Sequence, residues 1–303
     1  MLMFARTTWR LWPLAFLAAL AAPIAGCDSL GDSIGDLTGG FKQTSPGEAA
    51  RWAVDPTDSD KRREGITMLG NAPFGGVEVY VKLFRDAVIN ERDPIVKAAA
   101  IQALGKHGDP SDAVRIMPHL THDNDQVRWA SARALQRLHN PAVVPELLKT
   151  LANEDENRDV RASVATALGQ YPEDRVFQGL VGALNARELA VNEAAHRSLI
   201  TLTGMSFDLS TPAWLAWYGE AVKTNSAFAM QQEYLYPTYQ RDISWYEKIA
   251  FWSPKVWEKP APPAGLGPEG GRRTYDDAVP AGDGATPPTT EPATQRSTYG
   301  EGG

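Results

Sequence analysis

Apolar positions in the middle of the chain follow two periods, a helical one inside each segment and one of about thirty residues between segments. Four ten-residue stretches align: VKAAAIQALG from Val96, VRWASARALQ from Val127, VRASVATALG from Val160 and VNEAAHRSLI from Val191. A more divergent copy, KRREGITMLG, starts at Lys61. Successive starts are 35, 31, 33 and 31 residues apart. Leu69, Leu104, Leu135, Leu168 and Leu199 share one column. Met68, Ala103, Ala134, Ala167 and Ser198 share another, and Ile66, Ile101, Ala132, Ala165 and His196 a third. Spacings of three and four place these columns on one helix face, and small residues there let neighbouring helices approach closely.

Local signals frame each helix. Asp58, Asp93, Asn124, Asn157 and Glu188 stand three residues before the five starts, and the first four are strong N-cap types. Pro94 occupies a first helical position. Gly70, Gly105 and Gly169 read as helix-ending glycines, and Gly65 as an interruption of the first copy. A second helix is expected in each unit, over 77–89, 113–120, 143–151 and 175–184. Val144, Leu147, Leu148 and Leu151 illustrate its apolar spacing. Ahead of the repeats, Ser45-Pro46-Gly47-Glu48 opens a helix expected to run to about Val54.

Two helices per unit, with Asp/Asn-x-x-Val-Arg-x-x-Ala and a late Ala-Leu-Gly, resemble HEAT repeats over residues 58–204. The short bacterial subclass also found in phycobilin lyases is the most similar. The resemblance implies an all-α solenoid of about five units, with the Lys61 copy as an N-terminal cap. It also implies that the second helices line a concave face, where Arg115, Glu146, Lys149, Arg175 and Gln178 are candidate protein-binding residues. Chromophore attachment does not follow, because fold does not carry function and the chain opens with an export signal.

That signal occupies residues 1–26. Arg6 and Arg10 form a basic flank, and the apolar run from Leu11 to Ala22 has signal-peptide length, short of the roughly 20 residues of a membrane span. It ends at Ile24-Ala25-Gly26-Cys27, which holds the sole cysteine of the chain. This resembles the lipobox of bacterial lipoproteins, and the resemblance implies a lipidated Cys27 at the mature N-terminus. In some bacteria an Asp after that cysteine, here Asp28, resembles an inner-membrane retention signal. The expected address is the cell envelope, on the exported side of a membrane. Residues 28–44, rich in Gly, Ser and Asp, read as a tether, although Leu30, Ile34 and Leu37 would also fit one weak helical face.

Beyond Gly204 the composition shifts. Thr211-Pro212 reads as a cap, and a helix over 213–222 carries Trp214, Trp217 and Tyr218. Residues 214–257 hold 12 aromatics in 44 positions, a density that calls for either packing along the solenoid edge or a membrane-interface contact. Packing is the favoured reading, including for the short amphipathic stretch from Ile243 to Trp252. Residues 224–257 form an aromatic-rich extension. From 258 to 303, Pro and Gly make up 37% of positions, which predicts a disordered tail.

Charge and composition narrow the function. The formal charge is −7, falling to −9 once Arg6 and Arg10 are removed, and this argues against nucleic acid as a partner. Arg62, Lys97, Arg128 and Arg161 form a basic column that Asn192 breaks. An anion-binding ladder is one reading; pairing with acidic caps such as Asp93 and Asp125 is the favoured one. No phosphate loop, HExxH or Gly-x-Ser-x-Gly occurs, and Cys27 is committed to the lipobox. His119-x-x-His122-Asp123 lacks a third ordered ligand for zinc, and His196 reads as a core or interface histidine. The expectation is therefore no enzyme, no cofactor and no metal. The chain reads as a membrane-anchored, protein-binding scaffold. The alternatives are an envelope enzyme or accessory subunit with a metal or aromatic site, or a structural linker acting through its tail.

Overall fold

The computed structural model describes residues 45–238 and 260–267. The expected export signal, Cys27, the expected tether and the stretch from Ile243 to Trp257 lie outside the described residues. The described part is an all-α HEAT-repeat solenoid closed by a C-terminal aromatic cluster. Helix α1 spans Pro46–Ala53 and packs on α2, Ser59–Asn71. The units continue as α3 Glu78–Asn90, α4 Pro94–His107, α5 Asp112–Ile116, α6 Asp125–Leu135, α7 Val144–Ala152, α8 Arg158–Leu168, α9 Asp174–Ala183, α10 Leu189–Thr203 and α11 Thr211–Lys223. Even-numbered helices from α2 to α10 stack into one layer, and odd-numbered helices from α3 to α11 form the second.

The aligned columns build the core. Leu69, Leu104, Leu135, Leu168 and Leu199 are all fully buried, as are the four repeat-start valines. Caps fix where each first-layer helix begins. Asp93 Oδ1 accepts from the N–H groups of Ile95 and Val96 at 2.9 and 3.2 Å. Asn124 Oδ1 accepts from Gln126 at 2.9 Å, Asn157 from Asp159 at 2.8 Å and Asp58 from Lys61 at 3.1 Å. Glu188 caps nothing with its side chain, because its carboxylate turns to Arg161.

The glycines differ from expectation. Helix α2 runs unbroken through Gly65, and α2 and α4 continue past Gly70 and Gly105. Gly169 caps α8 with an ordinary right-handed φ of −60°. Their common role is close approach. A Cβ at Gly65 would lie 2.4 Å from Ala53 N. One at Gly70 would meet Ala103 Cβ at 2.6 Å, at Gly105 Ala134 Cβ at 2.7 Å, and at Gly169 Ser198 Oγ at 2.9 Å. The glycine column of one repeat thus seats on the small-residue column of the next. Two units depart from glycine in this column, with Gln136 and Ile200, and the buried Gln136 amide donates to Ser163 O at 2.9 Å. Gly204, with φ +71°, is the left-handed helix end that the pattern had assigned to the others.

Two further differences concern the second layer and the tail. The helix expected over 113–120 is broken: α5 ends at Ile116, and Met117–Thr121 continues as a 3-10 turn around Pro118. Pro118 has no N–H to give a continuous helix. The tail expected to be disordered from 258 is docked at residues 260–267. Ala264 pairs with Leu138 in an isolated parallel bridge, and Ala261, Pro263 and Ala264 are buried. Small side chains and a proline-stiffened backbone suit such docking, which composition alone does not show. At the C-terminal end, Trp214 is fully buried on the last repeat, in edge-to-face contact with Phe177, Phe207 and Trp217. Helix α11 begins at Thr211 with Ser210 as its N-cap, two residues earlier than expected. Among the described residues, no helix is long and apolar enough to cross a membrane.

Candidate interaction surface

The three arginines of the basic column are structural staples. Arg62 binds Glu91 through Nε and Nη2 at 2.8 and 3.1 Å and also donates to Asp55 O. Arg128 binds Glu156 at 2.9 Å and donates to His122 O and Asp123 O at 2.8 and 3.0 Å. Arg161, buried, binds Glu188 at 3.0 Å and donates to Leu151 O at 3.1 Å. The favoured pairing with acidic groups holds for the three arginines, with Glu91, Glu156 and Glu188 as partners, and no such pair forms at Lys97 among the described residues. Asp93 and Asn124 spend their side chains on capping, so the adjoining inter-repeat glutamate takes the guanidinium. Asp125 sits in the first turn of α6.

Around Arg128 the two layers leave a groove of about 500 Å³. Its walls come from the 3-10 turn (Leu120, Thr121), the following loop (His122, Asp123), one face of α7 (Glu146, Lys149, Thr150) and the next loop (Asn153, Asp155, Glu156). The Pro118 break positions the first wall by turning the chain out of α5. Lys149 Nζ binds Glu146 at 3.0 Å across the α7 wall. His122 Nδ1 accepts the Asn124 N–H at 3.1 Å, so a neutral ring carries its proton on Nε2. The His119 and His122 rings lie 6.3 Å apart. Burial, then the nearby Lys97 charge and His122, hold the His119 pKa below its ordinary value. Among the described residues, no group of three His, Cys, Asp or Glu is placed to hold a metal ion.

The five residues singled out in the sequence all stand on second-layer elements. Arg115, Lys149, Arg175 and Gln178 are exposed, and Glu146 is half-buried. The structure brings Glu146 and Lys149 together in the groove and leaves the other three on neighbouring helices. Three of the charges are balanced within their own turn: Arg115 by Asp112 at 3.4 Å, Lys149 by Glu146, and Arg175 by Glu173 at 2.5 Å. Apolar Val79, Val114 and Leu215 are exposed on the same layer. Such a surface, mixed in sign and dotted with aliphatic side chains, suits recognition of a polypeptide.

Sequence reasoning missed the buried carboxylate of Asp112. It has no exposed surface and accepts Arg85 through both oxygens at 2.8 Å, while Arg85 also reaches Asp109 at 2.7 Å. This pairing of α3 with α5 falls outside the aligned columns, so periodicity held no sign of it. His196 does lie at the interface expected of it, edge-on to Trp214 at 6.3 Å, with Nε2 buried and unbonded.

Comparison with known proteins agrees with the repeat. A family model described as HEAT repeats matches residues 114–200. Phycocyanobilin lyase subunit alpha of Pseudanabaena tenuis is 33% identical over 113 residues, which are 35% of this chain and 37% of that protein. The chain thus spans little more than a third of the length of the curated relative it matches. Among solved structures, human deoxyhypusine hydroxylase in complex with glycerol is similar at 17% identity. The match covers 61% of this chain and 93% of that one, at a TM-score of 0.28. The chain is a HEAT-repeat protein with distant similarity to a phycocyanobilin lyase subunit.

Proposed function

We propose that this HEAT-repeat chain is a non-catalytic scaffold, anchored to the exported face of a membrane through lipid on Cys27, that holds a protein partner on its second-layer face. One observation carries the reading. The groove beside α7 and the exposed rows around it present charges already balanced by neighbours, together with exposed aliphatic residues. Balanced charges give orientation and register to a polypeptide at little desolvation cost, but they make poor nucleophiles and poor general bases. HEAT-type stacking offers such rows over several units, which suits an extended partner. The lipobox-like Ile24-Ala25-Gly26-Cys27 supports the anchor.

The test is metabolic labelling with an alkyne fatty acid, combined with membrane fractionation. The intact chain is expected to take up label and pellet with membranes, while Cys27→Ser does neither. A Cys27→Ser chain that still pellets and still labels would remove the anchor from the account.

A further inference from the structure

The docked tail segment makes specific contacts. The His139 N–H donates to Ala264 O and the Ala264 N–H donates to Arg137 O, both at 2.8 Å. The Tyr236 N–H donates to Ala261 O at 3.1 Å, so the segment is held by backbone pairing on two sides. Ala264 is 5% exposed, leaving little room for a larger side chain. Gly265 has φ +87°, and a Cβ there would lie 2.6 Å from Pro110 Cγ and 3.2 Å from His139 O. Both backbone conformation and space therefore require glycine.

The receiving edge is formed by the turns between first and second helices: Pro110, Leu138 to Asn140, and Tyr171. Those turns are braced independently of the segment. The His139 ring stacks on Tyr171 at 4.8 Å and bonds Gln170, and Asn140 Nδ2 donates to Pro110 O at 2.9 Å. Arg137 lies over the Tyr236 ring at 4.4 Å. Tyr234, 5% exposed, has its hydroxyl buried without a hydrogen-bond partner. An edge that offers one N–H and one C=O to a passing strand, beside aromatic rings, combines two modes of peptide recognition: strand addition and proline-rich docking.

We propose that the turn edge of the second, third and fourth repeats is a docking groove for extended proline-rich segments ending in a small residue and glycine, filled in the resting chain by its own residues 260–267. The selectivity is set at two positions. The residue at 264 must be small, and the next must be glycine. The inference does not depend on the Cys27 anchor or on the second-layer face. Because the segment is tethered, its local concentration is of millimolar order, and a segment of another molecule must match that to displace it.

The test uses a fluorescein-labelled peptide of residues 259–267, read by fluorescence anisotropy. It is titrated into the intact chain, into a full chain lacking only 260–267, and into a full chain carrying Gly265→Val. Far-UV circular dichroism checks that both variants stay helical. The peptide is expected to bind saturably to both opened chains, and at least tenfold more weakly to the intact one. A peptide with the same Gly265→Val change is expected to lose at least tenfold in affinity for the opened chains. Absence of binding to folded opened chains, or equal affinity for the two peptides, would overturn the proposal. So would failure of both opened chains to fold, since the segment would then be part of the core rather than an occupant.

Discussion

Gly105 is the sharpest test of how the repeats stack. It lies inside α4, where alanine is intrinsically better than glycine by about 1 kcal/mol. If Gly105 were a simple helix-ending residue with open space beside it, Gly105→Ala would leave stability unchanged or raise it. The structure argues the reverse. The new Cβ would sit 2.7 Å from Ala134 Cβ and 2.9 Å from Ala134 Cα, and a backbone atom of the next repeat cannot rotate away. Overpacking costs about 1–3 kcal/mol, and a contact under 3.0 Å with backbone belongs in the upper part of that range, about 2–3 kcal/mol, so the net loss after the propensity gain of about 1 kcal/mol is about 1–2 kcal/mol. For a folded unit of this size, that lowers the melting temperature by roughly 3–6 °C. Gly182→Ala in α9 is the control: Gly182 is exposed, and a Cβ there meets nothing within 4 Å. It is expected to stabilise by about 0.5–1 kcal/mol. Urea and thermal unfolding followed at 222 nm would measure both. If Gly105→Ala proves as stable as the unchanged chain, or more so, the close-approach argument fails.

Other outcomes follow from the buried charges and histidines. Asp112→Ala deprives Arg85 of its buried carboxylate and is expected to cost about 3 kcal/mol by the same unfolding assay, whereas Lys149→Ala on the open α7 face changes stability by less than about 0.5 kcal/mol. Acid should destabilise the protein in two stages. Burial, partly countered by the Gln170 bond, holds the His139 pKa below its ordinary 6.5, and His119 shifts the same way. The unfolded chain therefore takes up protons first, and stability falls as pH drops below 6.5. Burial raises the Glu91 carboxyl, but Arg62 and the N–H groups of Asp93 and Arg92 outweigh it and hold it below its ordinary 4.5. That contribution is complete above 4.5 and is lost as pH falls through the lower folded value. Urea midpoints at pH 7.5, 5.5 and 3.5 should decline in order, and His139→Gln should lessen the first decline. A midpoint that rises on acidification would contradict both assignments. Gln136→Ala deprives Ser163 O of the Gln136 donor and opens a gap where three of the other units place glycine, with an expected loss of about 1–3 kcal/mol.

The repeat was legible because its signals are local and recur in register. Four of the five caps are the side chains expected, and the leucine column is buried throughout. What sequence could not show was the purpose of residues whose partners lie one repeat away. A glycine near a helix end looks the same whether it ends the helix or admits Ala103, and neighbours such as Asp93 hide that Arg62 reaches Glu91. The buried Asp112 pair was invisible for the same reason. The docked segment at 260–267 was misjudged because proline and glycine content reports on chain propensity. Its order depends on two backbone hydrogen bonds to residues more than a hundred positions earlier. Of the candidate surface, apolar spacing marks the helix that carries Glu146 and Lys149, while their place on a binding face rests on the HEAT resemblance. The groove itself depends on the Pro118 break.

The proposed role is that of a membrane-held scaffold that binds through its second helical layer. Site-specific photocrosslinking in cell envelopes tests it most directly, with the crosslinking residue placed at exposed Gln178 on α9 or at exposed Asp159 on the first layer. Each is examined in the intact chain and with Cys27→Ser. A discrete protein adduct is expected from Gln178, absent from Asp159 and strongly reduced by Cys27→Ser. Equal adducts from both positions, or an adduct indifferent to Cys27, would contradict it.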